Sequence, residues 1–220
     1  MLPLGSRRLL VYLDKTNDPA ANLKRESEIF ERVDAGSLPE AVRFWVNSPC
    51  LVRGPARTPR YGWYNEKLAD EMRIPVITRS TGGGVVYHDQ GNLNWSFFFR
   101  MAGAFLSPGA AFDLGSQHII RALEGLGVKA IFSAPNRIDV AGRKVSGMAA
   151  RSTPRTLLVH GTLLLNSDLE RLNRLCIPPP GCPPVSNLSE WLKGIDTTTM
   201  AKAVLDELAG SSFSVEEGPG

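Results

Sequence analysis

A chain of 220 residues that is 43% hydrophobic and 21% charged can bury a sizeable core, and its composition excludes a disordered segment or a fibre. The formal net charge of +3 is too small, and the lysines and arginines too scattered, to argue for nucleic acid; a mild excess of this sign favours an acidic macromolecular partner. No apolar run reaches the length of a membrane span, and Asp14 breaks the opening MLPLGSRRLLVYLD with no small-residue cleavage site after it, so no membrane and a cytoplasmic location are expected.

Arg7 to Leu13, rich in Leu and Val, reads as a buried strand. Asp18-Pro19 opens a helix whose apolar face carries Leu23, Phe30 and Val33, and Gly36 ends it. Ala41 to Val46 and Cys50 to Arg53 read as short strands around the turn Asn47-Ser48-Pro49. Asn65 to Met72 is a short helix, and Ile74 to Thr78 is the strand that delivers Arg79. Gly82, Gly83 and Gly84 then strip every Cβ from a segment flanked by β-formers, so a ligand can lie against bare main chain. Arg79 offers a charged fork for a carboxylate or phosphate, with the hydroxyls of Ser80 and Thr81 beside it. Val85, Val86 and Tyr87 resume a strand, and the polar turn from His88 to Asn92 leads into a second strand, Leu93 to Phe99, which together predict a hairpin. A glycine-rich turn in an ordinary sheet is the plain alternative; Arg79, His88 and Asn92 around the same glycines favour a site.

Ser107 to Gly109 breaks the sheet, and Ile119, Ile120, Leu123 and Leu126 mark an amphipathic helix stopped by Gly127. His118 on it is expected to be a solvated or capping imidazole. After the strand Val128 to Phe132, two arms, Ile138 to Val140 and Arg143 to Met148, are joined by Ala141-Gly142 into a second hairpin. Thr156 to Leu165 is a long strand interrupted at His160-Gly161, and Ser167 with Glu170 reads as a capping box for a helix from Asp168 to Leu175. In Ile177 to Pro184, IPPPGCPP, five of eight residues lack a backbone donor, which predicts a stiff connection over the surface. Ser186 to Leu192 and Met200 to Leu208 read as helical, and residues 211–220 are expected to fray. The organisation is one catalytic-size domain over residues 1–210, without internal repeats.

Cys50, Cys176 and Cys182 fit no zinc spacing and His88, His118 and His160 lie far apart in sequence, so no structural metal is expected. Lys144 stands on a short hairpin arm, between Gly142 and Ser146-Gly147, where main chain can again approach a ligand. Taken alone it is a surface charge; beside a glycine-rich anion cradle it can neutralise charge developing on a transferring phosphoryl or acyl oxygen. His160, with Gly161 and Thr162 in an otherwise apolar strand, is either a satisfied core histidine or the wall of a site. Asp139 can hold Mg²⁺, orient Lys144, or pair with Arg137 or Arg143.

Five stretches together resemble the lipoate-protein ligase family, whose catalytic domain is shared with biotin-protein ligases and octanoyl transferases. They are NSPCLVRG from Asn47, RSTGGGVVYHDQGNLNWSFF from Arg79, GRKVSGMA from Gly142, HGTLLLNSDL from His160 and VSNLSEWL from Val185. The resemblance implies an α+β fold, a central, mostly antiparallel sheet flanked by helices, of the class II aminoacyl-tRNA synthetase and biotin-ligase kind. It implies activation of lipoate by ATP, with Mg²⁺, to lipoyl-AMP, followed by transfer to a lysine of a lipoyl domain: a dehydrogenase E2, a glycine-cleavage H protein or a dedicated carrier. Carried over residue by residue, it has Arg79, Ser80 and the backbone of Gly82 to Gly84 hold the adenylate phosphate and acyl chain. His88 and Asn92 belong to the same binding stretch, Val85 and Val86 line the lipoyl tunnel, and Lys144 beside Gly147 bridges acyl and phosphate oxygens. Asp139 sits near Mg²⁺ and adenosine, and His160 with Thr162 closes the opposite wall. Two departures stand out. Family members commonly carry Asn-Asp before the lysine hairpin where this chain reads Asn136-Arg137-Ile138-Asp139, and longer ligases carry a small C-terminal accessory domain that is not expected here. A separate accessory subunit, or transfer of a preformed lipoyl or octanoyl group, would meet the second; a non-catalytic lipoyl- or biotin-binding module is the non-enzyme alternative. Cysteine-dependent transferases of this kind place their nucleophile just before the lysine hairpin, and Ala130 to Asn136 holds no cysteine.

Overall fold

The computed structural model describes residues 7–57, 62–101, 106–211 and 213–218. In chain order it forms β1 (Arg7–Leu13), α1 (Pro19–Asp34), β2 (Glu40–Trp45), β3 (Cys50–Arg53), β4 (Trp63–Tyr64), α2 (Glu66–Glu71), β5 (Val76–Thr78), β6 (Val85–His88) and β7 (Asn92–Arg100). Then follow α3 (Pro108–Gly125), β8 (Ala130–Ser133), β9 (Arg137–Val140), β10 (Arg143–Ser152), β11 (Thr156–Leu164), α4 (Leu169–Leu175), β12 (Cys176–Ile177), α5 (Thr197–Ala209) and β13 (Phe213–Glu217). This is the α+β class expected. The main sheet runs β13-β1-β2-β7-β11-β10-β9-β8, parallel where β1 meets its two neighbours and antiparallel elsewhere. A three-stranded sheet, β5-β3-β6, and a two-stranded one, β12-β4, stand apart from it.

The period of two along β7 explains how the layers form. Leu93, Trp95, Phe97 and Phe99 point one way, into the main core with Ile119 and Leu123 of α3 and Val204 and Leu208 of α5. Gly115 lets α3 settle on this face, since a Cβ there would lie 2.5 Å from Val159. On the other face Phe98 and Leu158 pack with Ile29, Phe30 and Val33 of α1. Each fully buried Phe contributes about 2 kcal/mol through apolar area alone. Beyond that apolar patch the second face turns polar: Arg43, Asn94, Ser96, His160 and Thr162 lie buried side by side on β2, β7 and β11. Helix α1 starts where expected, with Asp18 accepting from the N–H groups of Ala20 and Ala21 and Pro19 in the first turn. Its buried face is not the one read from Leu23, Phe30 and Val33: Asn22 and Glu26 join Ile29, Phe30 and Val33 there, matched to the polar half of the sheet, while Leu23 is half-buried.

Several expectations are corrected. The predicted hairpin from Val85 to Phe99 does not form, because both edges of β7 are taken by β2 and β11, and β6 pairs with β3 in the smaller sheet. Asp89 makes the crossing between the sheets by accepting from the N–H of Gly91 and of Asp168. The strand at His160-Gly161 is continuous, and the missing Cβ of Gly161 is where Trp95 packs, 2.5 Å from its ideal position. Asp168 rather than Ser167 caps α4, accepting from the Arg171 N–H, as a carboxylate is the stronger acceptor. The Ser186 to Leu192 segment narrows to a single 3₁₀ turn, Leu188–Glu190. Within the stretch expected to fray, Phe213 to Glu217 is a strand parallel to β1, held by a buried Phe213 and by an ion pair from Arg8 to Glu216. His118 is buried too, its ring 5.4 Å from Phe97 and 5.7 Å from Phe213, with Nδ1 2.9 Å from Glu207 of α5.

Candidate functional site

A cavity of about 520 Å³ opens on the polar face of the main sheet, between it and the sheet β5-β3-β6. Of the predicted site residues, Arg79, Gly83, Gly84, Val85, Val86, His88, Lys144, Gly147, His160 and Thr162 line it. The glycine loop with β6 and the lysine hairpin β9–β10, distant in sequence, thus face one space. Ser80 and Gly82 are exposed beside it, Asn92 is buried with its Nδ2 donating to Asn94, and Asp139 is buried opposite Lys144 without lining the cavity. The proline segment runs along the mouth rather than over remote surface, and Ile177 to Val185 forms one wall. Its end is tied to the lysine strand, since the Lys144 N–H donates to Pro184 O and Lys144 O accepts from Ser186 N–H.

Arg79 lines the cavity with much of its fork committed to the protein itself. The loop wraps it: Nε donates to Thr81 Oγ1 at 3.0 Å, Nη1 to Val52 O at 3.1 Å and Nη2 to Gly82 O at 2.8 Å. Burial pushes its guanidinium down to about 10, opposed by Glu26, and three of its five N–H groups are spent in shaping the glycine loop. Gly83 adopts φ +101°, which only glycine takes without strain, and a Cβ on it would crowd Arg79 Nη2 at 3.0 Å.

Two buried hydrogen-bond chains meet the cavity, each starting at an arginine, which can only donate. In the first, Arg79 donates to Thr81 Oγ1, which shares a hydrogen with His160 Nε2 at 2.7 Å. His160 Nδ1–H then donates to Glu26 Oε1 at 2.8 Å, where Ser96 also donates at 2.5 Å. Burial pushes the Glu26 carboxyl up, but His160, Ser96 and Arg43 outweigh it and hold Glu26 below its ordinary range. In the second, Arg43 Nη2 donates to Asn22 Oδ1, Asn22 Nδ2 to Asn47 Oδ1, and Asn47 Nδ2 to His88 Nδ1 at 2.9 Å. His88 therefore carries its hydrogen on Nε2, which is buried without a partner. Burial, with Arg79 and His160 nearby, pushes His88 down to about 3, so the ring is held neutral.

Sequence reading missed Glu26, Asn22, Asn47, Asn94 and Ser96. The signal was there as the alternation Asn92-Leu93-Asn94-Trp95-Ser96-Phe97 and the i, i+4 pair Asn22 and Glu26, which mark a polar stripe on a strand and a helix that are otherwise buried.

A model of the lipoyl protein ligase A/B catalytic domain matches residues 18–209. The chain belongs to this family. It is 31% identical over 201 residues to lipoate–protein ligase 1 of Staphylococcus aureus, covering 91% of this chain and 57% of that protein. The chain spans about half the length of the curated relatives it matches. Its fold matches a lipoate-protein ligase A bound with ATP (TM-score 0.81, 20% identity, 97% of this chain and 90% of the other). It also matches a bi-partite lipoate protein ligase, solved in a study of that enzyme and its E2 lipoyl domain from Thermoplasma acidophilum (TM-score 0.78, 18% identity, 97% and 87%).

Against what the family resemblance implies, the residues around Asp139 do not fit a protein-held Mg²⁺. Both Asp139 oxygens accept from Arg137 Nε, at 3.1 and 3.0 Å, and among the described residues no Asp or Glu lines the cavity. Among the described residues no group of three His, Cys, Asp or Glu is placed to hold a metal. Lys144 Nζ has no hydrogen-bond or ion-pair partner among the described residues; it lies over Gly147, 3.0 Å from where a Cβ would be.

Proposed function

We propose that this chain is the catalytic unit of a lipoate–protein ligase. The observation that carries the reading is the half-buried, unpaired Lys144 ammonium, which faces the same cavity as a loop of bare glycine main chain. The relative's name and the ATP-bound neighbour support lipoate and ATP as substrates. A carboxylate oxygen of lipoate attacks the α-phosphorus of ATP, the bond to pyrophosphate breaks, and lipoyl-AMP remains. The acceptor lysine amine then attacks the acyl carbon, the bond to AMP breaks, and the amine proton leaves to solvent. Negative charge grows on the same phosphate and acyl oxygens in both steps, which is where a fixed ammonium stabilises the transition state more than the ground state. Gly83 and Gly84 let the phosphate and acyl chain approach the main chain, Val85 and Val86 flank the acyl chain, and His160 with Thr162 closes the far wall.

The acceptor is a lipoyl domain, of a dehydrogenase E2, an H protein or a dedicated carrier, and the cytoplasm is the proposed compartment; the archaeal neighbour supports the lipoyl domain and, being bi-partite, an accessory subunit as a further partner. No helix among the described residues is long and apolar enough to cross a membrane. A second reading, transfer of a preformed lipoyl or octanoyl group through a cysteine thioester, has Cys176 and Cys182 on the cavity wall in its favour. Burial pushes the Cys176 thiol up to about 12, with Lys144 opposing, which disfavours the thiolate it needs. Incubation with lipoate, MgATP and an acceptor domain, with and without a candidate accessory subunit, tests the proposal. Adenylate and modified lysine are expected from the wild type, and a loss of at least 100-fold from Lys144→Ala at unchanged melting temperature. Undiminished adenylate formation by that variant overturns the assignment.

A further inference from the structure

Among the described residues the cavity is lined by cations without a single carboxylate, and one of those cations has no part in the ligase reading so far. Arg137 lines the cavity from β9, where the sequence departs from the Asn-Asp pattern. Its Nε is held by Asp139 and its Nη1 donates to Ala134 O at 3.2 Å, which fixes the plane of the guanidinium and leaves Nη2 without a partner among the described residues. Across the hairpin Arg137 pairs with Gly147, and Gly147 is the residue over which the Lys144 ammonium lies. Cross-strand neighbours have Cβ positions about 5 Å apart, so two cationic side chains converge on the space above one glycine. Asp139, opposite Lys144 across the hairpin, ion-pairs with Arg137 at 3.0 Å and is not among the residues that line the cavity, so one carboxylate stands against two cations. Two cations placed so closely repel unless an anion joins them. A planar fork beside a point charge is the arrangement that grips a phosphate by two oxygens.

We propose that Arg137 is a phosphate-binding residue, which with Lys144 neutralises the phosphate of the acyl-adenylate in place of a divalent ion held by the protein. The inference rests on the ligase reading above and deepens it: metal reaches this site only as the nucleotide's own counter-ion. Its substrate class is an acyl group joined to a nucleoside monophosphate.

The test is calorimetric binding of three probes to the full chain in metal-free buffer: lipoate, lipoyl-AMP, and a neutral analogue in which an amide joins the lipoyl group to adenosine without phosphate. The wild type is expected to bind lipoyl-AMP without metal. Arg137→Ala is expected to weaken lipoyl-AMP at least tenfold and the other two probes by less than twofold, and Arg137→Lys to recover part of the loss. A role confined to folding would move all three probes together, so equal weakening of both adenosine compounds, or of neither, overturns the proposal while leaving the ligase reading in place. A wild type that binds none of the probes overturns both. Arg137→Gln, which keeps a polar planar group beside Asp139, serves if the alanine variant does not fold and carries the same expectation. In the same assay with added Mg²⁺, a tenfold shift of the metal midpoint in Asp139→Asn but not in Arg137→Ala would return the site to a metal-binding carboxylate.

Discussion

Gly54 is the residue whose substitution reads the glycine loop most directly. An ideal Cβ on it would lie 2.4 Å from Gly83 O, 3.2 Å from Gly83 C and 3.3 Å from Gly82 C, all main-chain atoms. A Cβ does not tolerate a contact under 3.0 Å, so in Gly54→Ala the loop must retreat by about 0.6–1 Å. It cannot do so locally, because the Gly54 N–H is bonded to Gly84 O at 3.0 Å and Arg79 ties Thr81, Gly82 and Val52 together. The whole cavity wall moves. Overpacking of this kind costs about 2 kcal/mol, which for a domain of this size lowers the melting temperature by about 4–8 °C. The chemical cost is larger in proportion, since a misplacement of about 1 Å at a reacting centre lowers the rate about 100-fold. Lipoate-dependent exchange of pyrophosphate into ATP, with melting followed by calorimetry, measures both. Gly125→Ala is the control, because no atom lies within 4 Å of its added Cβ, and it should match the wild type in exchange. Exchange by Gly54→Ala within twofold of the wild type refutes the reasoning that this packing positions the loop.

His88 makes stability depend on pH. Its folded value of about 3 lies below the ordinary 6.5, so as pH falls below 6.5 the unfolded chain takes the proton first and stability drops, by at most about 1.4 kcal/mol per pH unit. Urea unfolding at pH 6.5 and pH 5 should show a loss of about 2 kcal/mol in the wild type beyond that of His88→Gln; identical slopes would show that the ring is not held neutral. Burial, with Asp89 adding to it, pushes the Cys50 thiol up to about 12, and Cys176 stands as high, so iodoacetamide at pH 8 should leave both unmodified in the folded protein for as long as the fold persists. Mass spectrometry that finds Cys176 alkylated, or carrying an acyl group after turnover, would instead favour the thioester route.

Where a single element carried its own signal, the sequence was legible. Asp18-Pro19 capped α1, the turn Ala141-Gly142 closed the lysine hairpin, and the glycines beside Arg79 marked a loop of which Gly83 and Gly84 line the cavity. Pairing choices were not legible in this way. β6 and β7 are neighbours in sequence joined by a turn, and nothing local says that β7 already has two longer partners. Likewise the final strand looks like a polar tail until the free edge of β1 is there to receive it.

What the amino-acid order determined by itself is the inventory: which segments become helix or strand, which positions lack side chains, and which carry a charge with no apolar use. Such properties are set by residues within a few positions of each other, where propensity, capping and periodicity act. Only the tertiary structure decided that Arg79 turns inward to build its loop, that Glu26 on α1 reaches His160 at a separation of 134 residues, and that Arg137 rather than Asp139 faces the cavity. A hydrogen-bond donor takes whichever partner the folded chain brings within about 3 Å, and that choice depends on the packing of layers that no short window of sequence contains.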